Sequence, residues 1–419
     1  MEKNIKKPKI RFKGFTDNWE QHKLSDAIQD IADGPFGSNL KTEHYTADNE
    51  ARIIQLSNLS DYGWQDENTR YTTFEYAKEI KRCIINEDEL VMGKMMPAGM
   101  TIMRPNTEKM YVLSSDCVRI KLDNQILKNR FFLYTTKSEP FLNQVNNDSQ
   151  GSTRVRTSIS KIRNMDFYIP SLEEQDKIGE YFANFDNLIT LHQHKLEHLK
   201  KQKKGLLQKM FPKKGEKVPE IRFSGFTKPW EQRKVTEVGR IFIGLVTTMT
   251  KHYTDKGTLL IRNSDIKDGS FEFGDNPIYL DDDFAEQNSL RKHKVGDVIT
   301  VHTGDVGTSA VISENESNSI GFATIVTRPE QSIILPEYLS AYLNTDMHKK
   351  FAVKVSTGDG RTNYNLADYC KCTIPIPSLE EQEKISKFIN NLNNLISLHQ
   401  CKLNLLKNMK KAMLEKMFV

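Results

Sequence analysis

IPSLEEQDKIGEYFANFDNLITLHQHKLEHLKKQKKGLLQKMF, Ile169 to Phe211, returns as Ile376 to Phe418, and at a fixed offset 26 of the 43 positions are identical. Apolar residues fall at alternating steps of four and three: Ile178, Phe182, Phe185 and Ile189, then Leu196 and Leu199, then Leu206 and Met210. This is the heptad rhythm of a helix that seats a narrow apolar stripe on a partner helix. The second copy keeps it at Ile385, Ile389, Leu392, Ile396, Leu403, Leu406, Met413 and Met417. Both stripes break at the same two places, His192 with His399 and Lys203 with Lys410. Ser171 and Ser378 each follow a proline and stand three residues before Glu174 and Glu381. That is the spacing of a capping box, in which the serine caps the helix and the glutamate reaches back to it. Two helices of about 60 Å are expected. They are expected to pair antiparallel within the chain, because a whole domain between them can return the chain to the far end.

A second repeat precedes each helix. PKIRFKGFTDNWEQHKLSD, Pro8 to Asp26, matches PEIRFSGFTKPWEQRKVTE, Pro219 to Glu237, with Trp19 answering Trp230. The unit is therefore an aromatic lead segment, a variable body and a long helix, carried twice. PKKGEKV, Pro212 to Val218, has the Pro, Gly and Lys content of a linker. The expected division is a first domain over 1–168, a helix over 169–211, a linker over 212–218, a second domain over 219–375 and a second helix over 376–419. Both bodies alternate short β-prone runs, such as ARIIQLSNL (Ala51 to Leu59) and LLIRNSDI (Leu259 to Ile266), with turns and helical stretches. The fold class is mixed α/β: two similar domains separated by two long antiparallel coiled-coil helices, related as a pseudo-twofold, circular internal repeat. Seven residues lead from Phe211 to Pro219, and joining Val419 to Met1 would leave eight between Phe418 and Pro8. Eight residues span at most about 30 Å, so Phe418 and Pro8 are expected within that distance.

With 37% hydrophobic and 27% charged residues, 419 residues suffice for two or three cores. No apolar run is long enough to span a bilayer, and the lysine-rich start lacks the apolar segment of a secretory signal, so no membrane contact and a cytoplasmic location are expected. Five scattered cysteines fit reduced thiols, and Cys370 and Cys372 have no second ligand pair at zinc-site spacing; no metal is expected. The net charge of +5 is mild, but Lys195 to Lys217 holds nine lysines, which either solvate a helix face or track a polyanion.

The duplicated RF.GFT..WEQ.K lead, the IPSLEEQ.KI junction, the helices ending in KMF and the two divergent bodies together resemble the specificity subunit of a type I restriction-modification system, over essentially the whole chain. The resemblance implies that each body is a target recognition domain reading one half of a split site in double-stranded DNA. It also implies that the helices space the domains and dock two modification (methyltransferase) subunits, to which restriction (motor and nuclease) subunits can be added. Methyl donor, ATP and magnesium would then sit on those partners, with no cofactor on this chain and no catalytic residue in it.

The residues agree with a chain lacking catalysis of its own. Asn276, Pro277, Ile278 and Tyr279 come nearest to a methyltransferase base loop, but the second proline is missing and Asp281, Asp282 and Asp283 beside it would repel phosphate. No Walker lysine loop is present. Base and phosphate contacts call for polar and basic side chains on loops. In the first body GPFGSNLK offers Gly34, Phe36, Gly37, Ser38, Asn39 and Lys41, with Lys94 further on; the alternative is a plain glycine turn. Before each helix QGSTRVR offers Ser152, Arg154 and Arg156, and GDGRTNYN offers Arg361 and Asn363, with Arg154 superposing on Arg361. The second body adds Thr247, Thr248 and Lys251, Arg262 and Asn263, and His302 and Thr303, each of which is otherwise a solvated strand end. Two other classes stay open: a self-contained methyltransferase and nuclease, which labelled methyl donor would reveal, and a coiled-coil scaffold without DNA, which salt-dependent DNA binding would reject.

Overall fold

The computed structural model describes residues 7–35, 39–60, 63–65, 68–95, 98–147, 157–356 and 363–419. The chain forms two compact units, one made of Met1–Gln193 with Cys401–Val419 and the other of His194–Gln400. Each long helix, Leu172–Met210 and Leu379–Met417, therefore contributes to both units.

In the first unit the polar strand Glu20–Lys23 pairs antiparallel with Asp166–Ile169, the strand that leads into the first long helix. A four-stranded sheet runs in the order Thr101–Met103, Leu90–Gly93, Cys117–Leu122, Ile28–Asp33. Its central strands are buried on both faces, which explains their near-continuous apolar sequence. Leu90, Met92, Val118 and Ile120 face one core with Phe131, Phe132 and Phe141, and Val91 and Cys117 face a second core. The alternation follows from the two-residue period of a strand. A second sheet holds Ala51–Ile54 parallel to Tyr111–Leu113. The stretch Met110 to Leu122 thus supplies two strands to two sheets, with Ser114 to Asp116 turning between them.

The second unit repeats this plan. Glu231–Lys234 pairs with Thr373–Ile376, and a sheet runs Ser309–Val311, Val298–Thr300, Ile325–Pro329, Gly239–Ile243. Val298 and Ile325 face one core, Ile299 and Val326 the other. Thr258–Ile261 runs parallel to Ile320–Gly321. Among the described residues, element order agrees closely between the units, apart from the short strand Ile84–Ile85 found only in the first and the helical turn Glu314–Glu316 found only in the second.

The helix seam is antiparallel. In the first unit the rings of Phe182 and Phe418 pack 5.8 Å apart and Asp186 binds Lys410, so positions rise on one helix as they fall on the other. In the second unit Leu207, Met210 and Phe211 share a core with Ile385 and Ile389. Ile178, Phe182, Phe185, Ile189, Leu196, Leu199 and Leu403 are buried as the heptads require. Leu392, Ile396 and Leu406 are half-buried, as are His192 and His399. Leu207 takes the fully buried place expected of Leu206, which packs at the edge of the core. The two lysine breaks are buried and differently partnered. Lys410 binds Asp186, whose other oxygen accepts the Tyr134 hydroxyl at 2.8 Å, whereas Lys203 reaches Asp268 at 2.9 Å on a hairpin turn.

The capping box forms only in part. Ser171 and Ser378 accept the Glu174 and Glu381 N–H groups at 3.4 Å, but the glutamate side chains turn to the lead segment. Arg11 grips Glu174 through Nε and Nη2 at 2.6 and 2.7 Å, and Arg222 grips Glu381 at 2.7 and 2.8 Å. A buried carboxylate is stabilised far more by a bidentate guanidinium than by one backbone N–H. The next residue is equally committed: Gln175 donates to the Ile126 and Pro170 carbonyls and accepts from Lys128 N–H, and Gln382 makes the same three bonds to Ile333, Pro377 and Leu335.

The circular phasing is visible in the backbone. Ile10 N–H donates to the Lys416 carbonyl at 3.0 Å, and Ile221 N–H to the Lys209 carbonyl at 2.9 Å. Trp19 packs against Phe418, and Trp230 against Phe211, so each lead segment closes on the end of a long helix. Pro8 therefore lies well within the distance set by an eight-residue bridge. A chain opened at Pro212 to Val218 and joined from Val419 to Met1 is expected to fold with an unchanged far-ultraviolet circular dichroism spectrum and a melting temperature within a few degrees of the parent. Loss of cooperative melting would show that the natural connector has a structural part of its own.

Candidate nucleic-acid interface

In the second unit the strand Thr258–Ile261 delivers Arg262 and Asn263 into a single helical turn. Arg262 is mostly spent on that turn. Its backbone N–H and its guanidinium both bind the buried carboxylate of Asp265, at 2.8 Å from Nη2 and 3.0 Å from Nε, and this bond holds the Arg262 pKa above its ordinary value. Asn263 looks the other way. Its Nδ2 donates to the Phe322 and Ala323 carbonyls at 3.2 Å each, and its Oδ1 accepts the His302 backbone N–H at 2.7 Å. The Ala323 carbonyl comes within reach because this residue takes a left-handed φ of 47°. Ala323 N–H in turn bonds the Leu245 carbonyl, at the root of the loop carrying Thr247 and Thr248.

His302 and Thr303 leave the end of the strand Val298–Thr300 and meet the segment before the second long helix. His302 Nδ1 lies 2.8 Å from Thr303 Oγ1, the Thr303 hydroxyl donates to Asn363 Oδ1 at 2.9 Å, and Tyr364 N–H donates to the His302 carbonyl. Four candidates named from separate stretches, Asn263, His302, Thr303 and Asn363, thus form one hydrogen-bonded cluster. Burial lowers the His302 pKa and so favours the neutral imidazole. Tyr364 is fixed from beneath by the buried His348, whose Nδ1 donates to the Leu343 carbonyl. Thr247, Thr248 and Lys251 are exposed beside the cluster's loop. Val246 and Phe322, which the sequence analysis did not single out, are exposed there too, with Leu245 and Phe322 bridged backbone to backbone. For Val246 the available signal was an apolar residue directly before the polar run Thr247 and Thr248.

The first unit uses the same backbone frame with other side chains. Thr157 N–H donates to the Lys94 carbonyl as Tyr364 does to that of His302. Lys94 itself is a correction: it is buried, and its ammonium lies 2.5 Å from Asp33 Oδ1, so it is a structural ion pair. Gly34 is also buried. A Cβ there would stand 1.8 Å from the Ser114 carbonyl oxygen, so this glycine roots the loop by close approach and offers no contact surface. Gly244 repeats this against Gly321 at 2.2 Å. Beyond Gly34, the Tyr76 hydroxyl donates to the Asn39 carbonyl, Lys41 N–H donates to His44 Nδ1, and His44 stacks on Tyr76 at 4.1 Å. This leaves the Lys41 side chain exposed.

Phe36, Gly37, Ser38, Ser152, Arg154, Arg156 and Arg361 lie outside the described residues. Of the nine lysines from Lys195 to Lys217, Lys203 is buried on Asp268, and Lys204, Lys209 and Lys213 have acidic partners. Tyr279 sits in a strand paired with Thr254 and Leu259, and Asp281 caps the following helix at Phe284 N–H, so neither is free for chemistry on a base. Among the described residues no three His, Cys, Asp or Glu side chains are grouped to hold a metal ion, and no helix is long and apolar enough to cross a membrane.

A family model for the type I restriction modification DNA specificity domain matches twice, over residues 17–201 and 227–408. Among similar proteins is the type I restriction enzyme MjaVIII specificity subunit of Methanocaldococcus jannaschii, 24% identical over 76% of this chain and 75% of that one. The putative MjaX specificity subunit of the same organism is 23% identical over 95% and 91%. The crystal structure of the type I restriction-modification S subunit from M. genitalium shares the fold, with a TM-score of 0.63 at 13% identity over 99% of both chains.

Proposed function

We propose that this chain, which belongs to the type I restriction modification DNA specificity family, directs partner methyltransferases to adenines in an asymmetric bipartite site. It is a specificity subunit with two DNA recognition domains, the non-catalytic member of its complex. On this reading each domain recognises one half-site. The observation that supports it is a backbone frame shared by the two units, in which Thr157 N–H bonds the Lys94 carbonyl as Tyr364 N–H bonds that of His302, while the side chains differ: Lys94 turns inward to Asp33, whereas His302 joins the hydrogen-bonded cluster. A common frame keeps the register on the duplex while the side chains set the sequence.

Docking of two modification subunits, with restriction subunits added to them, is the part of the reading that concerns the long helices. Leu188 and Leu191 in the first unit and Leu395 and Leu398 in the second are between 45 and 63% exposed, and they occupy equivalent places in the two helices. Apolar residues left uncovered in duplicate suit two copies of one apolar partner surface. Methyl donor, ATP and magnesium are assigned to those partners. The test is to replace Leu24 to Tyr168 by another recognition domain and map methylated adenines in a host carrying the partner subunits. One half of the modified sequence is expected to change and the other to persist. A change in both halves together, or in neither, would reject the division.

A further inference from the structure

We infer that the second domain reads an exocyclic base amino group, cytosine N4 or adenine N6, through an acceptor lone pair on His302 Nε2. Protons decide which nitrogen is free, given the reading of this domain as a DNA-recognition domain. A threonine hydroxyl has one proton. Thr303 gives it to Asn363 Oδ1 at 2.9 Å, so toward His302 Nδ1, 2.8 Å away, Thr303 can only accept. Nδ1 therefore carries the hydrogen. A neutral imidazole has one N–H, which leaves Nε2 as a bare acceptor. Nε2 makes no hydrogen bond among the described residues, and His302 is half-buried at the cluster.

The 2.8 Å contact of Nδ1 with Thr303 Oγ1 sets which edge of the ring faces the threonine, and the His302 backbone is held at both of its polar groups. Its N–H is bound by Asn263, whose amide orientation is set by the two carbonyls of Phe322 and Ala323. Its carbonyl is bound by Tyr364, which the buried His348 anchors in turn. Thr303, with Asn363 presenting Oδ1 to it, thus selects one imidazole tautomer on a backbone held in place by Asn263 and Tyr364. In the major groove an acceptor distinguishes an amino group from the keto oxygen or ring nitrogen of the other bases, since two acceptors facing each other leave both without a proton. The first unit has no such acceptor at the matched place, where Lys94 is tied to Asp33. The chemistry at this place therefore differs between the domains.

The full chain with its modification subunits should be tested on duplexes randomised over the second half-site, as wild type and as His302→Phe. The variant is expected to flatten preference at one base pair. At that pair, removing the exocyclic amino group, as purine for adenine or pyrimidin-2-one for cytosine, should weaken wild-type binding about tenfold and leave His302→Phe unchanged. A 7-deaza purine there should have no effect. Thr303→Val should lose the same discrimination by releasing the tautomer, and His302→Gln, which can place an amide oxygen near the Nε2 position, should keep it; both also serve if the phenylalanine variant fails to fold. Sensitivity to 7-deaza substitution in place of amino removal would overturn the inference, as would no flattened position. If exchanging residues 219–375 changes the half-site while the His302 variants change nothing, this inference alone falls. If the exchange changes nothing, the reading of the domain falls with it.

Discussion

Replacing Arg11 by alanine is expected to destabilise the first unit by about 3 to 5 kcal/mol, because it strands Glu174, whose side chain has no exposed surface, as an unpaired buried charge. The direct attraction between the pair is not the source of that figure; desolvation of the orphaned carboxylate is. It follows that Arg11→Met combined with Glu174→Leu should recover most of the loss, since two packed apolar groups can replace a buried pair at little cost. Arg222→Ala should do the same to the second unit by stranding Glu381. Hydrogen exchange read separately over the two units checks this. Equal loss of protection in both units from either single variant, or no recovery in the double variant, would mean that the arginine acts through something other than its glutamate.

Phe418→Ala is the second large effect expected, and its location is the informative part. Phe418 lies 5.5 Å from the Phe131 ring, 5.8 Å from Phe182 and 6.4 Å from Trp19, all in the first unit. Truncating a buried phenylalanine costs about 3 to 5 kcal/mol. A change at the far end of the sequence should therefore loosen the unit that contains Trp19. The twin change, Phe211→Ala, removes contacts at 5.3 and 5.6 Å to Tyr338 and Tyr342 and should loosen the other unit. Faster exchange within His194–Gln400 in the Phe418 variant, with the first unit unaffected, would contradict the closure of the lead segments on the helix ends.

The repeat carried most of what the sequence revealed. Twenty-six identities in a heptad frame locate the helices, and the spacing of the lead segments anticipates where Ile10 and Ile221 bond. What misled was local grammar. Ser171 and Glu174 stand at capping-box spacing, yet the glutamate serves Arg11, 163 positions away in sequence, and no local pattern encodes that distance. Lys94 reads as a free cation for the same reason, its partner Asp33 standing 61 positions away, whereas the partner of Arg262, Asp265, stands only three positions on and was open to a local reading. Loop composition did name Asn263, His302, Thr303 and Asn363, but not their union. That union depends on Ala323 taking a left-handed φ and on two strands ending side by side.

The second unit is one unbroken stretch of chain, and the first is closed by residues that follow all of it. On a ribosome the two halves therefore meet different fates. His194–Gln400 can complete its core as it emerges, whereas the lead segment around Ile10 and Trp19 must wait some four hundred residues for Lys416 and Phe418. At a synthesis rate of about 5 to 20 residues per second, that wait is on the order of tens of seconds to a minute or more. Trp19, and Phe131 and Phe182 once they are made, stand without Phe418 until that wait ends. Aggregation is therefore an expected hazard of the unit that holds Trp19 rather than of the other, and a chaperone or an early partner subunit would shield it.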